Sequence, residues 1–170
     1  MVERKLLVSN LTIGYEGLFD AADLFKLMDD WFSQHNYDKN EARHVERVSD
    51  KGKFIDIEMI PLKDINDYTR YEIHVRTRIN NMTETKIKRK EQEFKINNGK
   101  ISIVIDVFLT TDTKNRMEAR PMHVFFRTIF NKFINKEYIT KVEKDLMNDV
   151  KNFHSEIKSY LNLERYKEMA

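Results

Sequence analysis

The chain has no cysteine, and glycine and proline are scarce. Without cysteine it cannot form disulfides, thiolate metal sites or a cysteine nucleophile. Its 170 residues include only 4 glycines and 2 prolines, too few and too scattered for a glycine-rich phosphate loop. No apolar run approaches the roughly 20 residues that cross a bilayer. The N-terminal residues also lack the apolar core of a signal peptide, so we expect a cytoplasmic protein without a transmembrane segment.

The residues that are present are typical of one compact domain. Hydrophobic residues make up 41% of the chain and charged residues 34%. A domain of this length buries about two thirds of its unfolded surface, so it needs no disulfide or metal to fold. We therefore predict a single domain over residues 1–170. The net charge of +2 is too balanced to imply nucleic-acid binding by itself.

The first elements follow from periodicity and helix-capping residues. Alternating side chains predict a strand over Lys5–Ile13, which Gly14–Gly17 should end. Helical spacing comes next, with Asp20 as the N-cap and Asp23 in the first turn. This helix should stop within Ser33–Asn36.

Period-two alternation then predicts an antiparallel sheet with one buried face. Turns are expected at Asp50–Gly52, Asn80–Asn81 and Asn98–Gly99. The last is the strongest hairpin signal in the chain, because a type I′ turn needs positive φ at both central residues. The predicted strands cover residues 43–48, 54–60, 71–79, 83–96 and 101–110.

Two apolar segments close the chain. The segment Pro121–Ile134 is aromatic and helical in spacing, and it could be core, pocket lining or an interface. A long helix follows to about Leu163, with one narrow apolar face. That face consists of Tyr138, Val142, Leu146, Val150, Phe153, Ile157 and Leu161.

These elements predict an α+β fold, with an antiparallel sheet of five or six strands packed on one face by the C-terminal helix. The order of strand, helix, five strands and long helix resembles the helix-grip arrangement of START-like and Bet v 1-like domains. That resemblance implies a curved sheet around the last helix, with an apolar cavity between them. The alternative is a generic two-layer sandwich.

The search for catalytic chemistry finds no recognisable site. The five histidines are scattered and no pair is spaced for a metal, so we predict no metal site, no cofactor and no catalytic residue. Asp56 and Glu58 share one side of a strand, where carboxylates could act as acid and base or hold a cation. We favour pairing with the basic residues of the next strand. Asp106 should likewise form an ion pair, although a buried carboxylate there would be the first place to look for reactivity.

The favoured function is therefore that of a non-catalytic binding domain. An apolar small molecule would lie in a cavity between the sheet and the C-terminal helix, because aliphatic residues can line such a pocket without burying polar groups. The predicted lining consists of Trp31, Ile57, Ile73, Val75, Ile105, Phe125, Phe130, Val142, Leu146 and Val150.

Two other functions stay open. A nucleic acid or ribonucleoprotein could bind a basic strand surface, although no exposed aromatic residue interleaves with its lysines. The residues of that surface are Arg76, Arg78, Lys86, Lys88 and Lys90. Alternatively, the chain could be an assembly subunit that uses residues 121–134 as its interface.

Overall fold

The computed structural model describes residues 3–89, 92–111 and 135–169. It confirms the predicted fold class, an antiparallel six-stranded sheet packed against a long C-terminal helix. The aromatic segment Pro121–Ile134 lies outside the described residues. The elements are β1 (Glu3–Phe19), α1 (Ala21–Gln34), β2 (Glu41–Ser49), β3 (Gly52–Met59), β4 (Leu62–Asp64), β5 (Thr69–Arg89), β6 (Gln92–Thr111) and α2 (Asn135–Met169).

The first and the last strand along the chain, β1 and β6, are neighbours in the sheet. Neighbouring strands run β1-β6-β5-β3-β2, and the short β4 pairs with β5. All of these pairs are antiparallel. The first long strand therefore lies beside the last one, and hairpins make most of the remaining connections.

One face of the sheet is buried against both helices, and we call it the inner face; the opposite face is the outer face. Alternate residues of each strand point to the same side, so the inner face is almost entirely aliphatic. Its buried members are Ile13, Ile55, Ile57, Met59, Ile73, Val75, Ile79, Ile101, Ile103, Ile105, Val107 and Leu109. The predicted apolar face of α2 is buried against this layer, and only Tyr138 at its start is partly exposed.

The start of α1 is fixed by three polar contacts. Asp20 caps the helix, since its side chain accepts a hydrogen bond from the backbone N–H of Asp23 at 3.0 Å, as predicted. The Asn97 side chain accepts from the N–H of Ala21, and the Tyr160 hydroxyl donates to the carbonyl of Asp20. β6 and α2 therefore both position the beginning of α1.

Three predicted turns are wrong. Gly14–Gly17 does not end the first strand, because β1 continues to Phe19 and stays paired with β6. Neither Asn80–Asn81 nor Asn98–Gly99 is a hairpin turn, since both lie inside the long strands β5 and β6. The two strands pair from Thr69↔Thr111 out to Arg89↔Gln92.

A β-bulge replaces those two turns. Asn80 pairs with Lys100 and Thr83 pairs with Asn98, so two residues of β5 lie opposite Gly99 alone. Asn81 adopts a positive φ of 52°. Space also favours glycine at position 99, because a Cβ there would lie 3.0 Å from the Asn80 carbonyl oxygen and would crowd the backbone of β5. The sequence signal therefore marks a close approach of two backbones and not a chain reversal.

The bulge also reverses the faces of β5. Side chains alternate along a strand, so one extra residue moves every later side chain to the other side. Beyond the bulge, residues 85–89 and 92–96 pair only with each other and form a two-stranded extension, which we call the ribbon. One side of the ribbon carries Ile87 and Phe94, and the other carries Lys86 and Lys95, which are cross-strand partners in each case.

Candidate functional site

The structure brings the predicted cavity residues together. Eight of the ten lie within the described residues, and all eight are buried in one cluster between the inner face and the helices. They are Trp31, Ile57, Ile73, Val75, Ile105, Val142, Leu146 and Val150. Phe125 and Phe130 lie outside the described residues. A ligand-sized space between these side chains stays a prediction.

Thr77 is the polar exception at the centre of this aliphatic layer. It lies between Val75 and Ile79 on β5, and its cross-strand neighbours are Ile57 and Ile103. The residue is fully buried, and its Oγ1 has no hydrogen-bond partner among the described residues. An unsatisfied buried hydroxyl costs about 1–3 kcal/mol. This atom can donate a hydrogen bond to, or accept one from, a molecule held in the layer.

A polar cluster fastens α2 to the sheet. The Tyr37 hydroxyl donates to Asp149 Oδ2 at 2.9 Å, and Lys63 Nζ lies 3.4 Å from the same oxygen. The Lys63 ammonium also lies 5.0 Å from the centre of the Tyr37 ring. The Tyr71 hydroxyl donates to the backbone carbonyl of Val142 at 3.0 Å. These contacts hold the first half of α2 at a fixed place on the inner face.

Both phenols of this cluster are held in their neutral form. Burial, and then the negative charge of Asp149, raises the pKa of Tyr37 well above its ordinary value. Burial, and then the charge of Asp145, does the same to the pKa of Tyr71. Two phenols that stay protonated cannot act as bases near neutral pH, so the cluster anchors the helix.

We expect this cluster to make the protein sensitive to alkali. In the unfolded chain the two phenols ionise near pH 10, whereas in the folded chain they keep their protons. Stability is therefore fully present below about pH 10 and falls as the pH rises further. Urea unfolding between pH 8 and 11 measures this fall, which should be smaller in Tyr37→Phe. An equal fall in the two proteins would contradict the assignment.

A separate cleft of about 310 Å³ lies between α1 and α2. Lys26 and Asp30 line it from α1, and Glu156 and Tyr160 line it from α2. It is open to solvent and carries charges of both signs. Of the predicted cavity residues that the structure describes, only Trp31 lines this cleft, so it is distinct from the aliphatic layer in which the cavity is predicted.

The outer face carries arginines that lie over carboxylates. Arg43 and Arg78 flank Asp56, and their nitrogens lie 2.7 and 3.4 Å from its Oδ2. Arg76 lies 2.6 Å from Asp106 Oδ2, whose other oxygen accepts the N–H of Asn10 at 2.7 Å. Both carboxylates thus pair with basic residues of neighbouring strands, as expected from the alternation.

The same face continues toward the start of β1 with an aromatic residue. The Arg4 guanidinium lies 3.8 Å from the centre of the Phe108 ring, and His74 contacts that ring edge-to-face. Arg4 also lies 2.5 Å from a Glu72 oxygen, and the same oxygen contacts His74. Arginine and aromatic side chains therefore share the outer face.

The predicted basic surface is divided by the bulge. Arg76 and Arg78 lie on the outer face, whereas Lys86 and Lys88 lie on the ribbon side that continues the inner face. Those two lysines lie 3.5 and 3.9 Å from Glu93. Lys90 lies outside the described residues. The five residues therefore do not form the single strand surface that alternation in an unbroken strand would produce.

Sequence reasoning missed Arg4, Arg43, Phe108 and Thr77. The first three join the outer face through pairings that only the strand order reveals, and Thr77 stands out only once its neighbours are known to be aliphatic. Among residues 3–89, 92–111 and 135–169, no cluster of three acidic or histidine side chains is placed to hold a metal ion. None of the helices described there is long and apolar enough to span a membrane. Comparison with protein-family models, curated proteins and solved structures finds no match to this chain.

Proposed function

We propose that this protein is a non-catalytic binding domain that holds an apolar ligand between the inner face of its sheet and α2. The observation that carries the proposal is the fully buried hydroxyl of Thr77, which has no partner among the described residues. Its nearest neighbours along β5 and across the strands are aliphatic: Val75, Ile79, Ile57 and Ile103. A ligand with an apolar body and one polar atom fits that environment, because it would satisfy Oγ1 and leave the aliphatic contacts intact.

The strand order supports the proposal further. A sheet in which the first strand lies beside the last, crossed on one face by a long C-terminal helix, agrees with the helix-grip arrangement that the element order resembles. Polar contacts hold α2 to the rest of the protein at several points. Tyr37 bonds to Asp149, Trp31 Nε1 donates to Asn152 at 2.7 Å, and Tyr160 bonds to Asp20. Such anchors can keep the helix in place while the apolar layer between them accommodates a guest.

A neutral fluorescent probe, N-phenyl-1-naphthylamine, tests the proposal directly. We expect its emission to rise on addition of the native protein and dodecanol to displace it. Val150→Trp should abolish probe binding with little loss of stability, because it fills existing space. Val48→Trp is the matched control. Val48 is 83% exposed, so this variant should bind the probe as the wild type does.

Three results would count against the proposal. The first is that the native protein does not raise the emission of the probe. The second is that Val150→Trp lowers the free energy of unfolding by about 1–3 kcal/mol, as overpacking of a solid core does. The third result concerns Thr77→Val, which removes the hydroxyl at nearly constant shape. This variant should bind dodecanol less tightly than the wild type does, and unchanged affinity would remove Thr77 from the site.

A further inference from the structure

We propose that the outer face of the sheet binds single-stranded nucleic acid through Arg4, Arg43, Arg76 and Arg78. This site is on the opposite side of the sheet from the apolar layer, so it does not depend on the ligand proposed above. Both helices that the structure describes pack on the inner face. Within the described ranges, no helix or strand covers the outer face.

The charges on this face are arranged in two levels. The carboxylates of Asp56, Glu72 and Asp106 are 10–17% exposed, whereas the four arginine side chains are 40–57% exposed. These three carboxylates therefore lie beneath the guanidinium groups. The fourth acid of the face, Glu58, is partly buried and lies between its cross-strand partners Arg43 and Arg76. A guanidinium has five N–H donors, and a carboxylate below it occupies only some of them. The remaining donors face solvent, where they can bind a phosphate.

The carboxylates also fix where the guanidinium groups lie. An arginine held by an ion pair has already lost much of its side-chain freedom, so less entropy is lost when it binds an anion. Arg76 and Arg78 are two residues apart on β5, which places their Cα atoms about 7 Å apart. Arg43 on β2 and Arg4 on β1 extend the set across the five strands in the order given above.

The shape of the face and its aromatic residues favour a single strand over a duplex. Five strands span about 19 Å, which is too wide for the roughly 12 Å major groove of DNA. An open antiparallel sheet instead offers a platform on which unpaired bases can stack. Phe54 is half-buried on the outer face, and the Arg4 guanidinium, which covers the Phe108 ring, presents a second flat surface for a base.

Fluorescence anisotropy with a labelled 20-nucleotide oligo-uridine tests the inference on the full chain. Each phosphate contact on a single strand contributes about −0.7 to the slope of log affinity against log salt, so four arginines predict about −2.8. Affinity should therefore fall about 50-fold between 50 and 200 mM salt. In Arg76→Gln/Arg78→Gln the slope should be only about −1.4, so affinity should fall about sevenfold over the same range of salt concentration.

The double variant keeps one donor on each carboxylate. Asp106 retains the N–H of Asn10, and Asp56 retains Arg43. The matched control is Lys141→Gln/Lys144→Gln, which removes the same charge from exposed positions of α2 and should keep the wild-type slope. If the glutamine variant does not melt cooperatively, Arg76→Lys/Arg78→Lys replaces it. That variant keeps the charge and the slope but should bind more weakly at every salt concentration, because an ammonium lacks the planar fork.

Four outcomes would overturn the inference. They are no binding at 50 mM salt, an unchanged slope in the glutamine variant, wild-type affinity in the lysine variant, and an equal loss in the α2 control. A duplex of the same sequence that binds as tightly as the single strand would exclude base stacking. Poly-glutamate of equal length that binds as tightly would assign the face to acidic polypeptides instead.

Discussion

A chain that lacks residues 151–170 is expected to lose cooperative unfolding. Phe153 and Ile157 are fully buried and Leu161 is nearly so. The Phe153 ring lies 4.8 Å from the Trp31 ring and 4.7 Å from the Phe32 ring, so the deletion also exposes the apolar side of α1. Each large side chain contributes about 1.5–3 kcal/mol on burial, and the sum is comparable to the 5–15 kcal/mol that keeps a domain folded.

Thermal unfolding followed by circular dichroism and calorimetry measures this effect. Phe153→Ala alone should lower the free energy of unfolding by about 3–5 kcal/mol. Lys151→Ala/Lys158→Ala changes two exposed residues of the same segment and should leave stability nearly unchanged. A truncated chain that melts sharply at the wild-type temperature would show that this half of α2 is not part of the cooperative unit.

Gly52→Ala should be the most damaging small substitution in the sheet. Gly52 has a φ of 119°, where side chains are strained, and its added Cβ would lie 2.9 Å from two backbone atoms of Asn81 and Met82. Backbone strain of this kind costs about 1–3 kcal/mol, and overpacking adds about as much. Because the neighbouring atoms belong to the bulge backbone, they cannot rotate away as a side chain would.

Gly14→Ala is the matched control for this prediction. A Cβ at Gly14 meets nothing within 4 Å. The change there should be neutral or stabilise the protein by about 0.4–1 kcal/mol, since alanine restricts the unfolded chain. Chemical denaturation measures the free energy of unfolding of both variants. Equal stabilities would mean that the contact around Gly52 relaxes at no cost, and the account of the bulge would then be wrong.

The parts of the fold that sequence predicts well are those with an unbroken local pattern. The spacing of Val142, Leu146 and Val150 predicts one face of α2, and that face is buried. The capping of α1 by Asp20 likewise depends on residues three positions apart. These features are set by the geometry of a single element, so no knowledge of its neighbours is needed.

The bulge and the outer face could not be predicted in that way. The pair Asn98–Gly99 favours positive φ and so predicts a turn. In the structure the glycine instead allows the backbones of β5 and β6 to approach closely. The approach of Arg43 and Arg78 to one carboxylate depends on β2, β3 and β5 being neighbours, which is a property of the whole sheet. Thr77 could be assigned to the buried side of its strand, but not recognised as lacking a partner.

The bulge at Asn81–Met82 divides β5 into two segments, and residues of the same parity lie on opposite sides of the sheet before and after it. Arg76, Arg78, Lys86 and Lys88 are all an even number of residues apart, so in an unbroken strand they would lie on one side of the sheet. The extra residue at the bulge places the lysines on the side opposite the arginines. Deleting Asn81 would remove the bulge but keep Lys86 opposite Lys95 and Ile87 opposite Phe94, so the division of charge between the two sides would survive the loss of one residue.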